Sequence, residues 1–432
     1  MIKRIRNRFK NEKGQGMVEY GLILALVSIM AIGSLSILGG KVNGAFEKVN
    51  GVIGGDMADV IPEDAIVAND SEFEWKTTGG ITSTYYRVPG EAQPGYYAYV
   101  GTGTDVTIPH EIKGEPLTSY SNMFYEFNQP SIKVRSYNSK LVSTEGMFQW
   151  AEIKSLDLSE FNTLSVSNMS TMFRGMGELT SLDMSSFNTS KVTSMRAMFQ
   201  HTGALPNLDL THFDTSKVVD MRGMFSGVNM PTLDISSFDT SNVVHMNATY
   251  KQSGDGHTIG YQGFFDAAKI DNIILGNKFT TSKVENMGRM FSNSKIGNIE
   301  DVLLKIDTSA ATDLSGMFER ADLGSMGSLN KSSLKNFDTS KVTQMFATFR
   351  DTGVDIIDLS GLDTSKVETM HQAFASFKGS TIDMSTSDLS SLTNSDKMFW
   401  NATSTQAYGS VGNIGTLNAT SNKPDGLIFT VK

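Results

Sequence analysis

A repeat of about 25 residues constrains the fold of this 432-residue chain more than any other feature of its sequence. The repeat is clearest in SLDMSSFNTSKVTSMRAMF at 181–199, NLDLTHFDTSKVVDMRGMF at 207–225 and TLDISSFDTSNVVHMNATY at 232–250. Self-similarity at this period is typical of a solenoid, in which each repeat packs only against its neighbours. An aromatic residue closes each repeat, and its eleven occurrences predict eleven turns. These landmarks are Phe124, Phe148, Phe173, Phe199, Phe225, Tyr250, Phe291, Phe318, Phe349, Phe374 and Phe399.

Each repeat is predicted to hold one short strand and one helix. The segment LDM at 182–184 alternates with period two, which favours a strand with Asp183 on its open face. The apolar residues of VTSMRAMF at 192–199 recur at i, i+3, i+6 and i+7, which favours a helix with one apolar stripe. Ser190 stands at the expected N-cap position. The spacing of a capping box recurs at Ser282 with Glu285 and at Ser365 with Glu368.

The consensus LDLSSFDTSKVTxMxxMF resembles the BspA-like leucine-rich repeats of bacterial surface proteins over roughly residues 105–400. This resemblance implies an α/β solenoid of leucine-rich repeats, which we place at 119–400, with a C-terminal cap at 401–432. Residues 71–118 carry strand signals in FEWKTT, TSTYYRV and GYYAYVG and are predicted to form a β-rich N-terminal cap. The run Tyr96, Tyr97 and Tyr99 indicates either a binding surface or the packing of one strand.

The N-terminus combines a basic leader with a long apolar segment. Residues 1–14 contain six bases and one acid, and 21–40 contain no charged side chain. Ten Leu, Ile and Val residues between Leu22 and Leu38 favour membrane insertion by about 3 to 6 kcal/mol. Small residues that would mark signal-peptidase cleavage do not close this segment, so a retained transmembrane helix is predicted over 15–54, followed by an acidic linker at 55–70.

This leader and apolar segment resemble the prepilins of the Flp (tight-adherence, type IV) class. Gly14 matches the residue before the cleavage site, Gln15 the new N-terminus, and Glu19 and Tyr20 the Glu-Tyr pair of that family. The resemblance implies a prepilin peptidase and other pilin subunits as partners. It also implies insertion in the inner (cytoplasmic) membrane before assembly and an extracellular pilus or cell surface afterwards. Glu19 would neutralise the α-amino group of a neighbouring subunit in an apolar environment.

Composition excludes several other functions. The chain has a net charge of −9, and removal of the leader would leave −14, so nucleic acid is not an expected partner. It contains no Cys, and its six His residues are scattered without ligand-like spacing, so we expect no cofactor, no metal and no enzymatic activity. Acids in the predicted strands recur at Asp157, Asp183, Asp209, Asp234, Asp358 and Asp383. Either calcium or hydrogen bonds from neighbouring Ser and Thr would offset their repulsion, and Leu275 interrupts the series.

An insertion at 251–269, KQSGDGHTIGYQGFFDAAK, separates two otherwise regular blocks. It is either a tolerated surface loop or a ligand site. The candidate ligand-binding residues are Asp255, His257, Tyr261, Phe264 and Phe265. The sequence thus predicts a pilin-like surface protein that presents a repeat domain for adhesion or filament structure. Its expected extracellular ligand is a protein or a carbohydrate. The alternative is a membrane-anchored leucine-rich-repeat receptor that never enters a filament.

Overall fold

Parallel strands from successive repeats stack into a β-solenoid of about 12 turns in the computed structural model. The residues that the structure describes are 61–62, 65, 67–77, 95–203, 205–206, 208–247, 251–252, 258–259, 263–323 and 326–432. Within this part of the chain, no helix is long and apolar enough to cross a membrane. The predicted pilin helix over 15–54 lies outside the described residues.

The strands form three parallel stacks and three antiparallel pairs among the described residues. The parallel stacks contain β3 (Asp105–Thr107), β6 (Ser131–Arg135), β7 (Ser155–Asp157) and β8 (Ser181–Asp183); β9 (Asn229–Ile235), β12 (Lys269–Leu275) and β13 (Lys295–Ile296); and β14 (Ser328–Leu329), β15 (Ile356–Asp358), β16 (Thr381–Met384), β17 (Gln406–Gly409) and β18 (Thr430–Val431). The antiparallel pairs are β1 (Phe73–Thr77) with β2 (Gly95–Tyr99), β4 (Glu111–Ile112) with β5 (Glu115–Pro116), and β10 (Lys251–Gln252) with β11 (Thr258–Ile259).

The prediction of one helix per repeat is wrong in the described turns. Their only α-helices are α1 (Ile299–Leu303) and α2 (Ile414–Asn418), and a 3₁₀ turn spans Asp70–Glu72. Ser190 does not cap a helix, because its N–H donates to Asn188 Oδ1 at 3.0 Å. Ser282 and Ser365 likewise donate to the residue two positions earlier, so the predicted capping boxes are absent. The side chains of Asn188, Thr280 and Asp363 accept these N–H groups and turn the backbone through a corner instead.

Left-handed backbone conformations explain why the segment before each landmark Phe is not helical. Around Phe199, Ala197 has φ 51° and His201 has φ 53°. Both positions also have positive φ around Phe124, Phe148, Phe173, Phe225, Phe291, Phe318, Phe349, Phe374 and Phe399. Alternate N–H groups therefore point to the next turn rather than along a helix. The N–H of Phe173 donates to Met198 O at 3.0 Å, and that of Gly175 donates to Gln200 O at 2.7 Å. The backbone of this segment is thus hydrogen-bonded between turns.

A ladder of buried threonines joins the turns on a second face. Thr215 Oγ1 accepts the Asp239 N–H at 2.8 Å and donates to the Asp239 carbonyl at 3.0 Å. One hydroxyl thereby bonds both the N–H and the carbonyl of Asp239, which in a sheet would bond to the backbone of a neighbouring strand. We call this series the threonine ladder. Its members donate to the next turn in the same way and are Thr163, Thr189, Thr215, Thr240, Thr281, Thr308, Thr339 and Thr364.

A continuous stack of phenylalanine rings forms the centre of the core. Phe199 lies 5.6 Å from Phe173 and 5.9 Å from Phe225 between ring centroids, with interplanar angles of 15° and 5°. The stack position predicted for Tyr250 is filled by Phe265, which stacks on Phe225 at 6.3 Å and on Phe291 at 5.9 Å. The longer turn therefore ends at Phe265. The stack comprises Phe124, Phe148, Phe173, Phe199, Phe225, Phe265, Phe291, Phe318, Phe349, Phe374 and Phe399.

Several Asp side chains accept the backbone N–H two residues later, and we call these places the aspartate corners. They predict a loss of stability in acid. The hydroxyl and N–H of the serine two residues later hold the pKa of Asp214, Asp239 and Asp338 below the usual range. A carboxyl whose pKa is lower in the folded state stabilises it above the unfolded value, near 3.9, and this stability is lost as the pH falls through the folded pKa. We expect the melting temperature, followed by circular dichroism, to be nearly constant above pH 5 and to fall below about pH 4.

Asparagine variants at the corners provide the control for this pH effect. Asn188 already forms the same corner without a titrating group. Changing Asp214, Asp239 and Asp338 together to Asn should therefore keep the fold at neutral pH and flatten the acid limb of the melting curve. An acid limb identical to that of the unmodified chain would contradict the role of these carboxylates.

Candidate functional site

One corner of the solenoid brings polar and aromatic side chains of successive turns together. The N–H of Glu126 donates to Gln149 O at 3.1 Å, that of Trp150 to Arg174 O at 2.8 Å, and that of His201 to Ser226 O at 2.8 Å. These hydrogen bonds place the residues just after each landmark Phe on adjacent rungs, about 4.8 Å apart. A ligand lying along this corner would meet side chains from several turns at once.

Trp150 presents a flat aromatic surface at this corner. Its side chain is 40% exposed, and its backbone is left-handed with φ 61°. The ring lies against Gly175, where a Cβ atom would collide with it, so the glycine of the next turn makes room for the indole. The guanidinium carbon of Arg174 lies 5.7 Å from the ring centroid, close enough for a cation–π interaction. The indole is thus held between its own turn and the next by the Gly175 backbone and by the guanidinium over its ring.

Tyrosines from β2 and from the first turn complete this cluster. Burial, followed by the hydrogen bond and negative charge of Glu126, raises the pKa of Tyr125 to about 12. Burial and then the charges of Glu126 and Glu74 also raise the pKa of Tyr96, so both hydroxyls stay protonated at pH 7. Backbone hydrogen bonding from Tyr99 N to Met123 O at 2.8 Å fixes β2 against this turn.

His201 lies on the other side of Arg174 and is half-buried. Burial, and then the charge of Arg174, lower its pKa, so the imidazole is neutral at pH 7. Its ring lies against Gly227, which repeats the arrangement of Trp150 on Gly175. We define the aromatic corner as Tyr96, Tyr125, Trp150, Arg174 and His201.

A second polar cluster farther along the same face is already neutralised internally. Asp266 and Glu319 are buried, and Arg289 lies between them, at 3.6 Å from Asp266 Oδ2 and 3.2 Å from Glu319 Oε2. Arg350 pairs with the other oxygen of Glu319 at 3.5 Å. Burial raises the pKa of Asp266 despite the charge of Arg289. These groups hold adjacent turns together and leave little exposed charge for a ligand.

An open groove of about 350 Å³ lies on the strand face. Pro206 and Pro231 line it together with Lys269 and Lys295, which face each other in the register of β12 and β13. Lys295 pairs with Asp322 at 3.1 Å. The groove offers cations and two pyrrolidine rings but no aromatic surface among its lining residues, so we regard it as a weaker candidate than the aromatic corner.

The predicted aspartate series contributes to turn geometry. Asp157 faces Asp183 and Asp358 faces Asp383 in register, as predicted. The sequence predicts Leu275 beside Asp234, but Asp234 pairs with Ile274. The observed register of β9 and β12 is therefore shifted by one residue from the predicted register. Each of the six carboxylates accepts the N–H two residues later, at 2.8 to 3.0 Å. Among the described residues, no group of three or more His, Asp or Glu is placed to hold a metal ion.

The insertion predicted to bind ligand is placed only in part. Phe264 and Phe265 have no exposed surface, so their proposed role as ligand contacts is wrong: both are core residues of the turn that Phe265 closes. Asp255, His257 and Tyr261 lie outside the described residues. So do the predicted cleavage residues Gly14 and Gln15 and the predicted assembly residues Glu19 and Tyr20.

Sequence reasoning did not identify Trp150 and Arg174. Of the predicted tyrosine run, Tyr99 is buried, Tyr97 packs edge-on against Trp75 at 4.9 Å, and Tyr96 belongs to the aromatic corner. In successive turns, the position two residues after the landmark Phe holds Trp150, Gly175, His201 and Gly227. This alternation of a ring-bearing residue with glycine was the available signal, because each glycine makes room for the ring of the preceding turn.

Comparison with protein-family models defines the chain in two parts. The fold defines a repetitive β-solenoid, and two family models match the chain, one over the repeats and one near the N-terminus. The model described as "Mycoplasma protein of unknown function, DUF285" matches residues 118–228, 202–255, 259–352 and 323–420. These matches cover well over half of the chain, which therefore belongs to this family. The model of the Flp/Fap pilin component matches residues 9–52. No curated protein and no solved structure gives a match.

Proposed function

We propose that this chain is a non-enzymatic pilin-like surface protein that carries its solenoid outward for adhesion. The observation that carries the proposal is the presence, in one chain, of an Flp/Fap pilin segment at 9–52 and a solenoid of about 12 turns. The pilin segment would supply membrane insertion, cleavage after Gly14 and packing between subunits. The solenoid would supply an extended, rigid surface whose side chains recur at fixed intervals.

The free energy of membrane insertion supports separate roles for the apolar segment and the solenoid. An uncharged segment at 21–40 is stable in a bilayer or in the apolar core of a filament, whereas the acidic repeat region is not. The described part forms its own compact unit from Ile61 to Lys432 and can be presented without contribution from the apolar segment. Adhesion then requires only that one face of the solenoid binds a component of another surface.

A charge-neutralising substitution tests whether the chain enters a filament. We expect Glu19→Gln to insert into the membrane normally, because it removes a charge, but to enter filaments several-fold less than the unmodified chain, because the neighbouring α-amino group loses its counter-charge. The measurement is the ratio of the protein in surface-sheared filaments to that in membranes.

Glu12→Gln provides the matched control, because it makes the same chemical change in the leader that cleavage would remove. Its filament-to-membrane ratio should equal that of the unmodified chain. An unchanged ratio for Glu19→Gln would contradict the charge pairing of Glu19, and absence of the unmodified chain from sheared filaments would favour the membrane-anchored receptor and contradict the pilin assignment.

A further inference from the structure

The aromatic corner has the composition of a site for sugar rings. Aromatic faces carry negative charge density, which attracts the weakly positive C–H groups of a pyranose ring. Trp150 is 40% exposed, and Gly175 and Arg174 hold its ring in place. Planar polar groups beside the ring are suited to pairs of hydroxyl groups. Arg174 supplies hydrogen-bond donors and Glu126 supplies acceptors. They lie on the two turns that flank the turn of Trp150.

Charge around the corner favours a neutral ligand. Glu126 and Glu74 both lie close enough to Tyr96 to affect its titration, and His201 is neutral at pH 7. Glu126 and Arg174 both act on the titration of Tyr125, so the corner holds charges of both signs. The chain as a whole carries a net charge of −9, which repels polyanions.

We propose that the aromatic corner binds a neutral glycan, with one pyranose ring stacked on Trp150 and its hydroxyl groups bonded by Arg174 and Glu126. The proposal rests on the surface role argued above and names the class of ligand. Because the turns repeat about every 4.8 Å, His201, two rungs from Trp150, lies about 9.6 Å along the corner, within reach of a further sugar of the same oligosaccharide. Oligosaccharides should therefore bind better than monosaccharides.

The chain contains only three tryptophans, so Trp150 can serve as the reporter of binding. In the full chain purified in detergent, Trp75→Phe with Trp400→Phe leaves Trp150 as the single tryptophan, which can be excited selectively over tyrosine. We expect saturable changes in its emission with soluble oligosaccharides of neutral mannan, galactan or glucan. The control is Trp75→Phe with Trp150→Phe, which leaves Trp400, and this residue is similarly exposed at 45%. Its emission should not change with the same sugars.

Trp150→Asn separates binding from folding. Asn occupies the equivalent position at Asn293 and Asn401 with φ 54° and 58°, and Asn tolerates this backbone better than Trp. The variant should therefore fold normally by circular dichroism and bind the same oligosaccharide, measured by calorimetry, about tenfold more weakly or worse, which corresponds to about 1.4 kcal/mol or more. Trp400→Asn should bind as the unmodified chain does.

Three results would overturn this assignment. They are the absence of an emission change with every neutral glycan of the panel, an equal change in the Trp400 reporter, and a response to polygalacturonate alone, which would indicate an anionic ligand. None of these measurements depends on filament assembly. If the chain enters filaments normally but does not bind sugars, the proposed surface role stands and only this site is lost. If the chain does not enter filaments, glycan binding by the purified chain is unaffected.

Discussion

Phe199→Ala should destabilise the solenoid by about 3 to 5 kcal/mol, the range typical of Phe→Ala in a core. The ring is fully buried and stacks on Phe173 and Phe225, so truncation removes contacts with two neighbouring turns and leaves a cavity between them. A loss of this size is a large share of the stability of a typical domain. The lesion lies well inside the stack, so it should also weaken the coupling between the turns on either side.

Urea unfolding of the purified full chain, followed by far-ultraviolet circular dichroism, measures this loss. Phe346→Ala is the matched control, since Phe346 is half-exposed outside the stack and packs on His371 at 5.3 Å. Its truncation should cost much less, about 1 kcal/mol. If the two variants lost equal stability, the phenylalanine stack would not be the main core of the fold.

Thr215→Val should destabilise the protein by about 2 to 4 kcal/mol, although valine is more apolar and forms strands readily. The substitution keeps the shape of the side chain but removes the hydroxyl that bonds both backbone groups of Asp239. Because Thr215 has no exposed surface, water cannot easily replace these bonds. The N–H and carbonyl of Asp239 in the next turn would lose these partners.

Thr215→Ser tests the hydroxyl directly, since it keeps the oxygen and removes one methyl group. We expect it to cost only about 1 kcal/mol in the same unfolding measurement. Greater stability of the valine variant than of the serine variant would show that the threonine ladder acts by packing alone and would contradict the hydrogen-bonding role.

The repeat period and the core residues could be predicted from the sequence because both depend on periodic burial. Val192, Met195, Met198 and Phe199, predicted as one apolar stripe, are all fully buried. Their spacing is equally compatible with a helix and with a coil that returns the same positions inward. The backbone distinguishes the two, and left-handed φ at residues such as Ala197 follows from hydrogen bonding between turns that no local pattern shows.

Local hydrogen bonding also misled the interpretation of polar residues. In the segment FNTS at 187–190, the pattern predicts Ser190 as a helix cap and predicts no specific role for Thr189. In the structure Asn188 forms the corner and Thr189 bonds to the next turn. The same reasoning placed Phe265 in a loop, because Tyr250 completed the repeat at the expected distance. Only the stacking of rings from three turns identifies Phe265 as the landmark.

The candidate site was less predictable because it depends on neighbours from different turns. Trp150 and Arg174 are a full turn apart in sequence, and Gly175 matters only because the indole covers it. The tyrosine run in β2 drew attention to the correct end of the solenoid, but one member is buried in the core and another packs against Trp75. Sequence alone gave no means to separate these roles.

The central claim is that a pilin segment delivers the solenoid to a surface filament. The most direct test is the intact mass, with N-terminal peptide mapping, of the protein in filaments sheared from cells. The account predicts a chain that begins at Gln15 and retains the apolar segment through Leu38. A chain that begins at Met1, or one that begins beyond Leu38, would contradict it.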